Sequence, residues 1–75
     1  MTLSEIIKYH RKKSGLTQKQ LAELAEVGKT LVFDLEKGKT SIQFDKIQKI
    51  LEVLNIKFYF ESPLLKQRRN KHESN

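Results

Sequence analysis

Between Thr17 and Gly38 the sequence leaves room for two helices of roughly eight residues each, joined by the link Glu26-Val27-Gly28. Helices shorter than roughly 12–15 residues are marginal alone in water, because the first turn orders several residues for one hydrogen bond. Neither segment is stable unless it packs. The first offers Leu21, Leu24 and Ala25 as its inner face, and the second offers Val32 and Leu35. Val27 places an apolar residue inside the connection. Two short helices on so brief a link form a helix-turn-helix pattern, and that spacing restricts the fold more than any single residue does.

The flanking segments read as helices too. Thr2-Leu3-Ser4-Glu5 fits a capping box, in which a hydroxyl accepts from backbone N–H groups and a carboxylate reaches back three residues later. Leu3, Ile6, Ile7 and His10 then share a face, while Lys8, Lys12 and Lys13 lie off it, and Ser14-Gly15 stops the run. Thr17-Gln18-Lys19-Gln20 repeats the box at the start of the second helix. A third helix is expected from about Lys29 to Lys37, with Gly38 as its left-handed stop. A fourth is expected from about Phe44 to Leu54, with Phe44, Ile47, Ile50, Leu51 and Leu54 meeting the core. Gln43 is a poor cap for it, and Asn55 suits its carboxyl end.

Then the period changes. Ile56-Lys57-Phe58-Tyr59-Phe60-Glu61 alternates apolar and polar apart from Tyr59 and is rich in β-formers, so it reads as a strand, with a fifth helix as the alternative. Nothing else in the chain looks like a pairing partner, and an unpaired apolar strand invites aggregation. A two-fold homodimer resolves this by pairing the strand with its own copy, burying Ile56, Phe58 and Phe60 between subunits. Ser62-Pro63 ends the strand, and Leu64 to Asn75 reads as a basic tail, ordered only when bound. The expected organisation is one mainly α domain over residues 1–61, for binding and dimerisation, followed by a flexible tail over 62–75.

Charge indicates the kind of partner. Residues 1–61 hold eleven Lys/Arg against eight Asp/Glu, and the tail's Lys66, Arg68, Arg69 and Lys71 stand against Glu73, for a net +6 overall. Such a balance favours a polyanion or an anionic membrane surface, with a merely solubilising surface as the alternative. There is no cysteine, which suits a reducing compartment. No apolar run approaches the roughly 20 residues of a membrane span, and the amino terminus lacks a signal-peptide core, so a cytoplasmic protein is expected.

Four segments carry a resemblance: Gly15-Leu16-Thr17-Gln18, Leu21-Ala22-Glu23-Leu24-Ala25, Val27-Gly28-Lys29-Thr30, and Val32-x-x-Leu35-Glu36-x-Gly38. From Glu5 to about Glu61 the chain resembles the Cro/C1-type (XRE) helix-turn-helix family, whose domain is a four-helix, lambda-repressor-like fold. Leu54-Asn55-Ile56-Lys57-Phe58 looks like the junction of its HipB-like antitoxin branch, where a strand follows the fourth helix and a two-stranded sheet closes the dimer. The resemblance implies a repressor specific for a double-stranded DNA sequence. The branch implies an antitoxin that binds a HipA-type Ser/Thr kinase toxin and represses their shared operon. A stand-alone regulator without a toxin is the alternative. The family often carries Gly and then Val-Ser in the turn, where this chain has Glu26 and Gly28. Glu26 costs about 1 kcal/mol there if the position needs positive φ.

In this motif the third helix enters the major groove by its amino-terminal turns. The expected base-reading set is Gly28, Lys29, Thr30, Phe33 and Asp34. Lys29 suits guanine O6/N7 or a phosphate; Thr30 suits an acceptor or a thymine methyl. Phe33 suits thymine methyls, with core packing as its alternative, and Asp34 suits cytosine N4 or orients Lys29. Thr17, Gln18 and Lys19 at the start of the second helix, and Lys39, Thr40 and Ser41 after the third, are expected to hold phosphates. A dimer would read half-sites about 34–36 Å apart, hence a near-palindromic operator. The resemblance also aligns Arg11 and Glu36 with a partly buried ion pair joining the first and third helices, exposure of both being the alternative.

Other chemistries fail on spacing. Gly28-Lys29-Thr30 and Gly38-Lys39-Thr40 look like the end of a phosphate-binding P-loop, but Glu23 and Phe33 stand where its first glycine belongs. His10 and His72 are too few for a metal site or a catalytic dyad, and Asp34 and Glu36 face different sides of a helix. Residues 64–73 are too weakly amphipathic for a membrane-surface helix. No enzyme, cofactor or metal is expected.

Overall fold

A computed structural model describes residues 1–39, 41–59 and 62–63. It contains α1 (Leu3–Lys13), α2 (Gln18–Ala25), α3 (Lys29–Glu36) and α4 (Phe44–Val53). Both capping boxes form. The Thr2 N–H donates to Glu5 Oε1 at 2.8 Å while Glu5 N–H donates to Thr2 Oγ1, and Thr17 and Gln20 repeat the exchange at α2. The Thr2 backbone N–H, with its hydroxyl, holds the exposed Glu5 carboxyl below its ordinary pKa. Gly28 and Gln43 give α3 and α4 no side-chain cap.

All four helices end in the same way. Gly15, Glu26, Gly38 and Asn55 have positive φ, and the residue after each donates to a carbonyl five positions back. These are Schellman closures, which satisfy carbonyls that a helix end leaves without partners. Glycine and asparagine enter this conformation readily. Glu26, at φ +59° between α2 and α3, is a β-carbon residue in a place that favours glycine.

The core lies where the four helices meet. Ile7, Leu21, Ala22, Ala25, Val32, Leu35, Ile50, Leu51 and Leu54 are buried, with Leu3, Leu16, Val27, Leu31, Ile42, Ile47, Val53 and Ile56 packed around them. Fully burying each aliphatic side chain contributes roughly 1.5–3 kcal/mol, which fixes helices too short to persist alone. Three sequence expectations need correction. Leu24 is 60 % exposed, and Ala22 takes its place, because α2 turns its Ala22–Ala25 side inward. Over so short a helix, apolar spacing alone does not fix the rotation. His10 is exposed on α1, where Ile7 and Arg11 fill the inner face. Phe44 is 43 % exposed at the amino end of α4, its ring edge-to-face with Phe58 at 5.4 Å.

Past Asn55 the chain leaves α4 without forming a fifth helix over residues 56–59, and no strand occurs among the described residues. Ile56 is half-buried against the core, while Phe58 and Tyr59 are exposed. Phe60, Glu61 and the tail from Leu64 onward lie outside the described residues. Among the described residues no helix is long and apolar enough to cross a membrane.

Candidate nucleic-acid interface

The inward stripe of α3 decides what its outer side presents. Val32 and Leu35 are buried and Leu31 half-buried, so at 100° per residue Thr30, Phe33 and Asp34 turn away from the core. Gly28, Lys29 and Thr30 are exposed at the amino end. Phe33 is 44 % exposed, which places it on the surface rather than in the core. Lys37 continues this face one turn later, with Nζ 4.8 Å from the centre of the Phe33 ring, a cation–π contact. The sequence reading passed over Lys37, although its spacing from Phe33 was a usable signal.

A polar anchor on the opposite edge holds α3 in this orientation. Arg11 of α1 grips Glu36 with two bonds, Nε to Oε2 at 2.6 Å and Nη2 to Oε1 at 3.0 Å. Its Nη1 donates to the Leu16 carbonyl at 2.8 Å, and Gln18 Nε2 donates to Glu36 Oε1 at 3.1 Å. The side chains are 10 % and 3 % exposed, so the pair sits largely out of water, and each guanidinium nitrogen and each carboxylate oxygen has a hydrogen-bond partner. Glu36 is thereby an internal residue of α3. One knot joins α1, the loop before α2, the first turn of α2 and the last turn of α3.

The positions expected to hold phosphates divide between the start of α2 and the segment after α3. Thr17 and Lys19 are exposed beside the start of α2, and Gln18 is half-buried with its amide nitrogen on Glu36. Lys39 and Ser41 are exposed after α3, and Thr40 lies outside the described residues. Lys39, Ser41, Gln43 and Lys46 line a shallow groove with Leu31, Asp34 and Ile42. Asp34 makes its ion pair with Lys39, Nζ to Oδ2 at 3.7 Å, and not with Lys29. Lys29 lies most of half a turn away around the helix, whereas the closure at Gly38 brings Lys39 back over Asp34.

The helix-turn-helix family model matches residues 7–60, taking in the Arg11–Glu36 knot, both helices of the motif and α4. The chain belongs to the Cro/C1-type helix-turn-helix family. Over 52 residues it is 35 % identical to an uncharacterized HTH-type transcriptional regulator, y4mF, of Sinorhizobium fredii (strain NBRC 101917 / NGR234). That alignment covers 69 % of this chain and 68 % of the relative. Within this helix-turn-helix protein α2 and α3 are the motif, and α3 stands in the reader position. α1 and α4 supply the packing that holds the motif.

Proposed function

We propose that this protein is a transcriptional repressor specific for a double-stranded DNA sequence, acting as a homodimer on a near-palindromic operator. One observation carries the reading: α3 presents Lys29, Thr30, Phe33 and Asp34 outward while Glu36 ties its last turn to Arg11 and Gln18. A surface meant to read base edges must be exposed and rigid at once, since each base contact depends on sub-ångström placement. Gly28 contributes close backbone approach, having no side chain at the helix entry. The α3 dipole disfavours a cation at Lys29 in the free protein, and the lysine gains on meeting guanine O6/N7 or a phosphate. Thr30 and Phe33 address thymine methyls, and Asp34 accepts from cytosine N4. Thr17, Gln18 and Lys19 on one side, with Lys39, Thr40 and Ser41 on the other, hold phosphates and set the register.

Residues 1–61 form the binding and dimerisation domain in this reading. The exposed Phe58, with Ile56 and Phe60, pairs with its counterpart to complete a two-stranded sheet. By its likeness to the HipB-like branch, the repressor also neutralises a HipA-type kinase toxin and controls their joint operon. A second reading, a regulator without a toxin, is supported by the relative's description, which names only transcriptional regulation. Co-expression with any HipA-like kinase encoded in the neighbouring frame separates the two: a stable complex supports the antitoxin role, and no complex leaves the regulator alone.

Binding-site selection from random duplexes tests the central claim. A palindromic consensus is expected, with log affinity falling against log salt by about 0.9 per phosphate neutralised. Alanine at Lys29 or Thr30 should erase part of the consensus while leaving the melting temperature unchanged. Equal binding to every duplex would sink the proposal.

A further inference from the structure

We propose that Asp34 sets the base preference of α3 by rejection, with Lys39 as its built-in counter-ion, an inference that rests on reading α3 as the DNA-facing helix. The helix carries two acids, Asp34 and Glu36, and Glu36 is held inward by Arg11 and Gln18. Asp34 is therefore the carboxylate on the outer face, its side chain one-third exposed at 33 %. Two cations share its groove: the exposed Lys39, and Lys46.

Against DNA, an acid in such a setting has a specific meaning. A carboxylate only accepts hydrogen bonds. Facing a base edge it gains from the amino group of cytosine or adenine, and it is repelled by guanine O6/N7 and thymine O4. It is also repelled by the phosphates of every duplex, whatever the sequence, and this makes an unaccompanied aspartate a poor choice on such a surface.

The fold supplies its companion. Gly38 at φ +100° turns the chain back, the Lys39 N–H donates to the Asp34 carbonyl at 3.0 Å, and Lys39 Nζ comes to 3.7 Å from Oδ2. Lys39 is 53 % exposed by side chain, so the pair is weak and screened: it offsets part of the charge of Asp34 and leaves its acceptor capacity free. Lys39 offsets the phosphate repulsion on every sequence, and Asp34 imposes the penalty only where a base presents an acceptor. Affinity and selectivity thus reside on two neighbouring side chains.

The test uses the full-length chain and three variants, D34A, D34N and K39A. Each is taken through selection from random duplexes and titrated on the parent's selected operator and on a scrambled duplex of equal length. The parent should select cytosine or adenine at one position of each half-site. D34A should relax that position, bind scrambled duplex more tightly, and lower the operator-to-scrambled ratio by roughly tenfold or more for each half-site, the range of one good base contact per subunit. D34N should shift the position to adenine, since an amide both accepts and donates and so matches N6 and N7. K39A should weaken both duplexes by a similar factor and keep the consensus. If D34A leaves consensus and ratio intact while the parent still selects a sequence, the inference is overturned and the repressor reading stands. An equal loss on both duplexes with a lowered melting temperature assigns Asp34 a structural role and also overturns it. A parent that selects no sequence overturns both.

Discussion

Arg11 and Glu36, twenty-five residues apart in sequence, meet in a two-bond ion pair whose carboxylate is 3 % exposed. Removing either partner leaves the other charge buried without a counter-charge, with only the Leu16 carbonyl on Arg11 or the Gln18 amide on Glu36 remaining. Arg11→Ala and Glu36→Ala should each cost about 3–5 kcal/mol, a large part of the roughly 5–15 kcal/mol available to a small domain. Urea unfolding measures this. A joint replacement by apolar residues of similar volume should recover most of the stability, because the desolvation penalty disappears with both charges. The joint variant should still bind DNA poorly, since the hydrogen bonds that orient the last turn of α3 are gone.

Glu26 closes α2 in the left-handed conformation. Any residue with a β-carbon meets the same crowding there, so Glu26→Ala should leave stability nearly unchanged. Glu26→Gly relieves about 1 kcal/mol of backbone strain and gives back part of it through a freer unfolded chain. A net gain of a few tenths to about 1 kcal/mol is expected, visible as a higher urea midpoint. A loss on Glu26→Gly would mean that the glutamate side chain makes compensating contacts.

Gly38 is the converse case. No atom lies within 4 Å of where a β-carbon would stand, so Gly38→Ala meets backbone strain alone at φ +100°. A destabilisation of about 1–2 kcal/mol is expected. Operator affinity should fall as well, because the turn that returns Lys39 to Asp34 begins at this residue.

Glu5 gives a pH signature. Its folded pKa is depressed, first by the Thr2 backbone N–H and then by the Thr2 hydroxyl. The stability it contributes is therefore fully present above the unfolded carboxyl value of about 4.3 and is lost as the pH falls through the lower folded value. Glu5→Gln should keep the capping box, as Gln20 does at α2, and remove this titration. Thermal melts between pH 6 and pH 2 should show the parent converging on the variant from above. Parallel curves would rule the linkage out.

Phe58 tests the dimer. Its ring leans on Phe44 at one edge and remains 45 % exposed. Phe58→Glu places a charge in the proposed subunit contact and should yield monomers by sedimentation while the helical circular dichroism is retained. Operator binding should then weaken far more than binding by one half-site would, because the two half-sites are no longer linked. A parent chain that sediments as a monomer at micromolar concentration would defeat this prediction before any substitution is made.

Element ends were legible in the residues because their causes are local. Thr2 with Glu5, Thr17 with Gln20, Gly15 and Gly38 act on backbone groups three to five residues away, so one sequence displays donor and acceptor together. The helix-turn-helix could be read from the length of α2 and α3 and from their link. What the residues could not show was rotation and pairing. Whether Leu24 or Ala22 turns inward depends on what α3 and α4 bring against α2, and spacing within eight residues admits either. The partner of Asp34 depends on the path taken after Gly38, a loop closure that no periodicity encodes. Burial belongs to contacts between segments distant in sequence, and the pairing of Asp34 with Lys39 to the path of the loop after α3; only the packed chain decides either.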